Sequence, residues 1–443
     1  MNDRVVMPVW TFGLFIVIMN TTMFNVSIPG IISDLAISTD LGSWVISSYS
    51  IGYALSTVIY SRLSDVIPIR TLLTVGLIIL GGSSIYGLFA SSFEAVLAAR
   101  ILQSAGAGAM AGLGLVLASR YIPFERRGRA IAMISAGSAM AFGLGPIVGG
   151  VITEYFGWNG VFGVTALVLA VLPVLWTLLP KEQPKPFRFD SIGAVLTLGN
   201  AATLLLFVMQ QSLWWLAAAV ATFVFHALHL KRAKEPFINP TLLASPAYRK
   251  LLTVGFCILV LNLGNLFLMP LVLADLFHKS PLVIGFMIAP GALLSAFLTR
   301  FVGRWIDKYG NMPFLVAGPC ILAAVLALFT LDLAASPVVI LAGYLFFSPA
   351  FSATMASLNN ETSRILPKQA VGSGMGLLQL VQFFGGSVSV AVCGMLLHMQ
   401  NQQARETAFA HVYGVLLTIC VISLAVMMWY RKQAARTAGS PTR

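Results

Sequence analysis

The sequence predicts an all-α polytopic membrane protein of fourteen transmembrane helices, and three observations lead there. Of its 443 residues 58% are hydrophobic and 9% charged, with a mean hydropathy of +0.89. Soluble chains carry about 25% charged residues, and a water-soluble fold has no polar surface to spare for so much apolar side chain. The apolar residues also fall into runs of span length separated by short polar segments, and Lys and Arg are distributed asymmetrically among those segments.

A helix crosses ~30 Å of hydrocarbon with about 20 apolar residues. Helices are the open-chain solution there because every backbone polar group must be satisfied internally. On that basis the runs are 7–28, 42–61, 70–90, 94–119, 129–152, 158–179, 191–209, 212–230, 250–273, 281–301, 313–331, 337–358, 370–397 and 409–430. The seventh and eighth are among the shortest, and omitting both would leave a twelve-span reading. Gln210 and Gln211 separate them, and the basic segments KEQPKPFR and LKRAKEPF bracket them. The expected organisation is an N-terminal six-helix bundle (1–180), two additional central helices with linkers (181–248), a C-terminal six-helix bundle (249–430) and a tail (431–443).

Basic residues set the orientation. With both termini in the cytoplasm, all 27 basic residues lie inside except Lys279, Arg405 and the intraspan Arg100. The net charge of +12 is therefore read as a topology signal and not as a nucleic-acid footprint. The first run is long enough to span and has no small-residue cleavage site, so no cleaved leader is expected. Cys257, Cys320, Cys393 and Cys420 lie inside apolar runs without metal-ligand spacing and read as buried small hydrophobes. No metal site is expected.

Two loops resemble each other: SRLSDVIPIR (61–70), after the second span, and GRWIDKYGNM (303–312), after the tenth. Each carries an acid, a turn and flanking bases, as a parallel repeat of two six-helix halves requires. The second loop, with Gly303, Asp307, Lys308 and Gly310, resembles the signature loop of the major facilitator superfamily; the first keeps only Asp65 and Arg70 of it. Arg100 with LQSAGAG resembles the fourth-helix motif of drug/proton antiporters, and YIPFERRGRA the loop after it. GSAMAFGLGPIVGG resembles the antiporter motif of the fifth helix, and MNTTMFNVSIP the first-helix motif of the fourteen-spanner branch. The chain as a whole is most similar to Gram-positive tetracycline-type efflux proteins. The resemblance implies an exporter of small apolar or amphipathic compounds in the bacterial inner membrane, working as a monomer by alternating access. It implies a proton gradient as energy source, no bound cofactor, and no partners beyond substrate and lipid.

Physical roles follow for the motif residues. Asp65 and Asp307 sit in tight turns among bases; a carboxylate there accepts from a helix N-terminus and pairs with Arg or Lys. The expected partners are Arg126, Arg127 or Arg129 for Asp65 and Arg364 or Lys368 for Asp307, forming a gate latch. In span five, Gly137, Ala141, Gly145 and Gly149, with Gly150 beside them, make a small-residue face that admits another helix closely, and Pro146 should bend it. Arg100 is the single ionisable residue deep in a span, which marks a cavity, a coupling role or a structural pair; Gln103 is its neighbour. Asn20, Thr21 and Asn25 of span one, Asn262 and Asn265 of span nine, and Gln379 and Gln382 of span thirteen should face inward, as ligand contacts or as glue between helices.

One part of the antiporter pattern is missing. No acid falls at the bilayer midplane; Asn20 stands where the first-helix motif usually carries Asp, and the acids that tetracycline-type relatives carry near Thr21, Phe142 and Gly386 are absent. The remaining candidates for proton carriers are Glu94, Glu154 and Asp275 near the outer mouth. An exporter or flippase of an endogenous lipid-like molecule or metabolite, without proton exchange, is the alternative. An intramembrane enzyme would need a nucleophile–base or metal cluster, and the sequence has no His-x-x-x-His, Glu-x-x-His or Cys-x-x-Cys. No catalytic residue is expected.

Overall fold

The computed structural model describes residues 3–64, 67–180, 182, 190–233, 240–367 and 371–438. Every regular element among them is helical: α1 (Asp3–Asp34), α2 (Thr39–Leu63), α3 (Ile69–Leu88), α4 (Phe93–Tyr121), α5 (Phe124–Phe156), α6 (Gly160–Ala166), α7 (Val171–Leu178), α8 (Ser191–Gln210), α9 (Leu213–Arg232), α10 (Pro246–Asp275), α11 (Pro281–Tyr309), α12 (Met312–Asp332), α13 (Pro337–Ile365), α14 (Val371–Met399) and α15 (Arg405–Ala438). A 3-10 turn over Leu167–Ala170 joins α6 to α7, so the two make one long segment. Twelve of the described segments are long and apolar enough to cross a membrane. The two that fall outside this set are α2, which is rich in serine, and α8, whose described apolar stretch is Ser191–Phe207. The fourteen predicted runs each correspond to one long helical segment, then; α2 lacks the apolarity of the rest, and α8 is apolar but shorter over its described residues.

Helix starts have local causes. The Ser92 hydroxyl accepts from Ala95 N, Ser245 from Tyr248 N, Ser336 from Val338 N and Asp190 from Gly193 N, each satisfying a donor that the first turn leaves orphaned. Pro246 and Pro337 open α10 and α13, where a missing N–H costs nothing. At the end of α11, Gly310 takes φ +79° and its N–H closes on Ile306 O at 2.8 Å. Only glycine adopts that conformation without strain.

The helices form two compact units. One comprises Met1–Phe237 with His278–Ala289, the other Ile238–Phe277 with Pro290–Arg443. Within the units the helix pairing repeats: α1 packs on α5 and α3 on α4 in the first, α10 on α14 and α12 on α13 in the second. Polar details repeat as well. Ser56 of α2 donates to Ser104 O of α4 at 2.6 Å, and Ser295 of α11 donates to Ser348 O of α13 at 3.3 Å. Without a hydrophobic driving force between helices in lipid, association rests on close packing and such bonds. The large apolar side chains left on the outside, among them Trp214 and Leu331 at 86% and 79% exposed, suit contact with acyl chains. Cys257, Cys393 and Cys420 are buried as expected, whereas Cys320 is exposed, because its side of α12 meets no other helix.

The extra pair, α8 and α9, packs as a hairpin in the first unit. Its rungs are polar: Asn200 Nδ2 with His226 Nδ1 at 2.7 Å, Thr203 with Thr222 at 3.2 Å, and His229 Nε2 with Asp190 Oδ1 at 2.7 Å.

Candidate functional site

Arg100 lies two turns into α4 and is completely buried. Its guanidinium draws four helices together. Nε donates to Val45 O of α2 at 3.0 Å, and Nη1 donates to Asn20 Oδ1 of α1 at 3.1 Å and to Gln103 Oε1 at 3.0 Å. Gln103 passes the chain on, its Nε2 donating to Ser84 Oγ of α3 at 2.7 Å. The rings of Phe24 and Tyr49 lie 3.9 and 4.0 Å from Cζ, and Phe162 packs edge-on against Phe24. A desolvated cation against an aromatic face gains roughly 2 kcal/mol. All of Arg100's hydrogen-bond acceptors are neutral, and no carboxylate among the described residues contacts it. Arg100 Nη2, Asn20 Nδ2 and both polar side-chain atoms of Asn25 are buried without a partner.

The sequence paired Gln103 with Arg100 and set Asn20 apart among the inward-facing polar residues of span one; the structure brings all three together. Thr21 is half-buried and joins the group through the Tyr49 hydroxyl. Val45, Tyr49, Phe24 and Ser84 were missed, because a carbonyl or a ring within an apolar run carries no signal of its own.

In the second unit the register set by Ser104 and Ser348 puts Tyr344 where the first has Arg100; it is buried beside Phe347. The buried amides there make neutral contacts. Asn265 Oδ1 accepts from Tyr413 OH at 3.2 Å, and its Nδ2 points to Met269 Sδ at 3.7 Å. Asn262 and Gln382 are buried, while Gln379 is exposed.

Span five shows two faces. A Cβ on Gly137 would meet Thr11, one on Gly145 would fall 1.8 Å from Thr22 Oγ1, and one on Gly149 would strike Met23. Thr22 also donates to Ala141 O at 3.4 Å. This stripe is the seat of α1. On the other face, a Cβ on Gly150 would meet Pro281 O at 2.5 Å, and Pro146 O lies 2.2 Å from where Gly285 would carry one.

Of the latch residues, Asp65 and Lys368 lie outside the described residues, as do the side chains of Arg126, Arg127 and Arg129. Arg70 stacks on Trp176 at 3.9 Å. Gly303, Asp307 and Lys308 are exposed, with Lys308 Nζ over the Tyr309 ring. Arg364 turns to Glu361 at 3.4 Å. Glu94 is exposed in the first turn of α4, Glu154 accepts from Leu282 N at 3.4 Å, and Asp275 lies 3.8 Å from Arg405 Nε.

Two further centres, absent from the sequence reading, hold equivalent corners of the units. In the first, Glu182, just beyond α7, accepts from Ile69 N at the head of α3 at 2.6 Å and from the Tyr121 hydroxyl at the foot of α4, with Arg120 at 3.9 Å. In the second, Glu361 of α13 accepts from Asn311 Nδ2 at the head of α12 at 2.7 Å and from Tyr430 OH of α15 at 2.8 Å. The acid and the phenol have changed helices between the two.

Long apolar helices in two units with repeated pairing, and buried cations and amides among them, define an integral membrane protein. The chain belongs to the Major Facilitator Superfamily, whose profile matches residues 10–390. It is 26% identical over 437 residues to a putative multidrug resistance protein MdtD of Klebsiella pneumoniae, covering 95% of this chain and 93% of that one. It is 23% identical to the riboflavin transporter RibZ of Clostridioides difficile, covering 98% of each. Among solved structures, a bacterial homologue of the human lysosomal transporter Spinster aligns over 99% of both chains with a TM-score of 0.72 at 14% identity. A peptide transporter POT aligns over 96% of this chain and 94% of that one with a TM-score of 0.73 at 15% identity. The protein is thus a multi-pass transporter of the cell membrane and not an enzyme.

Proposed function

We propose that this transporter is a secondary active exporter of small apolar or amphipathic compounds, working by alternating access in exchange for protons. The observation that carries the reading is the network around Arg100, a buried cation joined to α1, α2 and α3 with donors left over. A pocket that fixes ligand orientation with few polar groups among aromatic walls has this make-up. The MdtD-type relatives support a drug-like cargo. Proton exchange would fall to Glu94, Glu154 and Asp275, since the groups around Arg100 include no carboxylate. The polar interior of the second unit, Asn262, Asn265 and Gln382, would supply neutral contacts.

The test is proton movement in energised inverted vesicles, read with a pH-sensitive dye. The panel comprises tetracyclines, cationic dyes and neutral drugs, with Arg100→Ala as control. Substrate-triggered proton release that is lost in the variant supports the proposal. Accumulation without proton movement would refute exchange while leaving export intact. The RibZ relative favours a second reading, an endogenous metabolite as cargo; flavin accumulation in the same vesicles tests it.

A further inference from the structure

A guanidinium enclosed by protein and lipid keeps its charge only if its surroundings compensate for lost water. Around Arg100 the compensation is incomplete. Val45 O, Asn20 Oδ1 and Gln103 Oε1 are neutral acceptors, and Nη2 has none. Beside it a second buried donor, Asn20 Nδ2, makes no hydrogen bond of normal length, although the Tyr49 hydroxyl stands near the amide. The two orphans border one hydrogen bond: Nη2 shares its guanidinium with the Nη1 that donates to Asn20, and Nδ2 shares its amide with the Oδ1 that accepts. The unused donor calls for one more acceptor, and the uncompensated guanidinium calls for one that carries negative charge. A water molecule would satisfy the geometry but not the charge.

We infer that Arg100 and Asn20 hold a monoanionic group, taken either from a small organic carboxylate or from an inorganic monoanion. Phe24 and Tyr49 flank the guanidinium, so the anion approaches its edge and an organic ligand would lay its apolar part along the rings. A carboxylate suits two adjacent donors particularly well, because its two oxygens take one each. Arg100 and Asn20 are both fully enclosed, so entry requires α1, α2 or α4 to move. This deepens the export reading by naming a chemical class for the cargo, or for an ion that accompanies it. Its binding is measured on purified protein, independently of whether anything is transported.

The experiment is thermal unfolding of the detergent-purified full chain, titrated with sodium benzoate or sodium bromide at constant ionic strength in sodium sulfate. Wild type should show a saturable rise in unfolding temperature. Asn20→Asp puts a carboxylate where the amide oxygen now sits, 3.1 Å from Nη1. It should unfold in sulfate at or above the wild-type temperature and lose the response to the probe. Radiolabelled benzoate in equilibrium dialysis gives a second readout, expected to fall at least tenfold in Asn20→Asp and in Arg100→Gln. A response to benzoate alone assigns the site to an organic carboxylate; a response to bromide with competition by benzoate assigns it to any monoanion of that size. No response in wild type, or an equal response in Asn20→Asp, overturns the inference. Vesicles that fail to export while the purified protein still binds benzoate would instead refute the export reading alone.

Discussion

Removing the acceptor at Glu361 should loosen the second unit by an amount that depends on what replaces it. Glu361 is buried and takes Asn311 Nδ2 on one oxygen and Tyr430 OH on the other. Glu361→Leu strands both donors, and each buried, unsatisfied donor costs about 1–3 kcal/mol, so the loss is about 2–6 kcal/mol. Arg364, which is 66% exposed, returns to water and adds little. Glu361→Gln behaves differently. Its amide can present oxygen to Asn311 and donate to the Tyr430 hydroxyl, so both contacts survive without charge assistance and the loss is about 1 kcal/mol. Tyr430→Phe removes one bond to a charged group and should cost about 1.5–3 kcal/mol. The chain supplies its own reporter, because all four cysteines lie in this unit and Cys257, Cys393 and Cys420 are buried. Labelling by a thiol-reactive fluorogenic dye during a temperature ramp reads its unfolding. The expected order of midpoints is wild type, Gln, Phe at Tyr430, then Leu. Glu361→Leu unfolding with wild type, or Gln falling below Leu, would refute the corner as a source of stability.

Other expectations are more local. Gly145→Ala places a Cβ 1.8 Å from Thr22 Oγ1 and should cost about 1–3 kcal/mol through overpacking; adding Thr22→Ala should recover part of it, since Thr22 Cβ still lies 2.9 Å away, in the same ramp followed by tryptophan fluorescence. Gly310→Ala should cost about 1 kcal/mol from its φ of +79° alone, since nothing crowds that position, whereas Gly303→Ala, equally open but inside α11, should stabilise by about 0.5–1 kcal/mol. The Tyr121 phenol is pushed up to about 12, first by burial and then by its hydrogen bond to, and the charge of, Glu182. A raised folded value favours the protonated phenol, so its contribution is whole below pH ~10 and is lost as pH rises through 12. Tyrosinate absorbance in wild type minus Tyr121→Phe should show this group titrating above the other exposed tyrosines.

The fold was legible because lipid imposes one rule on every segment. Apolar runs located the helices, but the helices run past them: the run 7–28 became Asp3–Asp34 and 129–152 became Phe124–Phe156. Hydropathy reads only the part in hydrocarbon, while backbone hydrogen bonding continues into the interface. Arg100 and its neighbour Gln103 were legible because charge and amides are costly inside a span. Their aromatic and carbonyl partners were not, since Tyr49, Phe24 and Val45 look like any other residue of an apolar run. The glycine stripe announced a close helix approach without saying that α1 fills it. Glu361 drew no reading of its own, because Asn311 and Tyr430 stand 50 and 69 residues away in sequence and only packing joins them.

The exchanged acid and phenol bear on how such a chain can change. At one corner Tyr121 of α4 meets Glu182; at the other, Glu361 of α13 meets Tyr430 of α15. In the register that pairs Ser104 with Ser348, Glu361 falls one turn before Tyr121, so a graft of α13 in place of α4 would turn a carboxylate towards Glu182, and the reverse graft would leave Tyr430 without an acid. The halves therefore share an architecture but not interchangeable parts, and a helix shuffled between them needs its counterpart rewritten in the same step. An alignment of one half on the other would score both positions as mismatches, although the contact they make is the same.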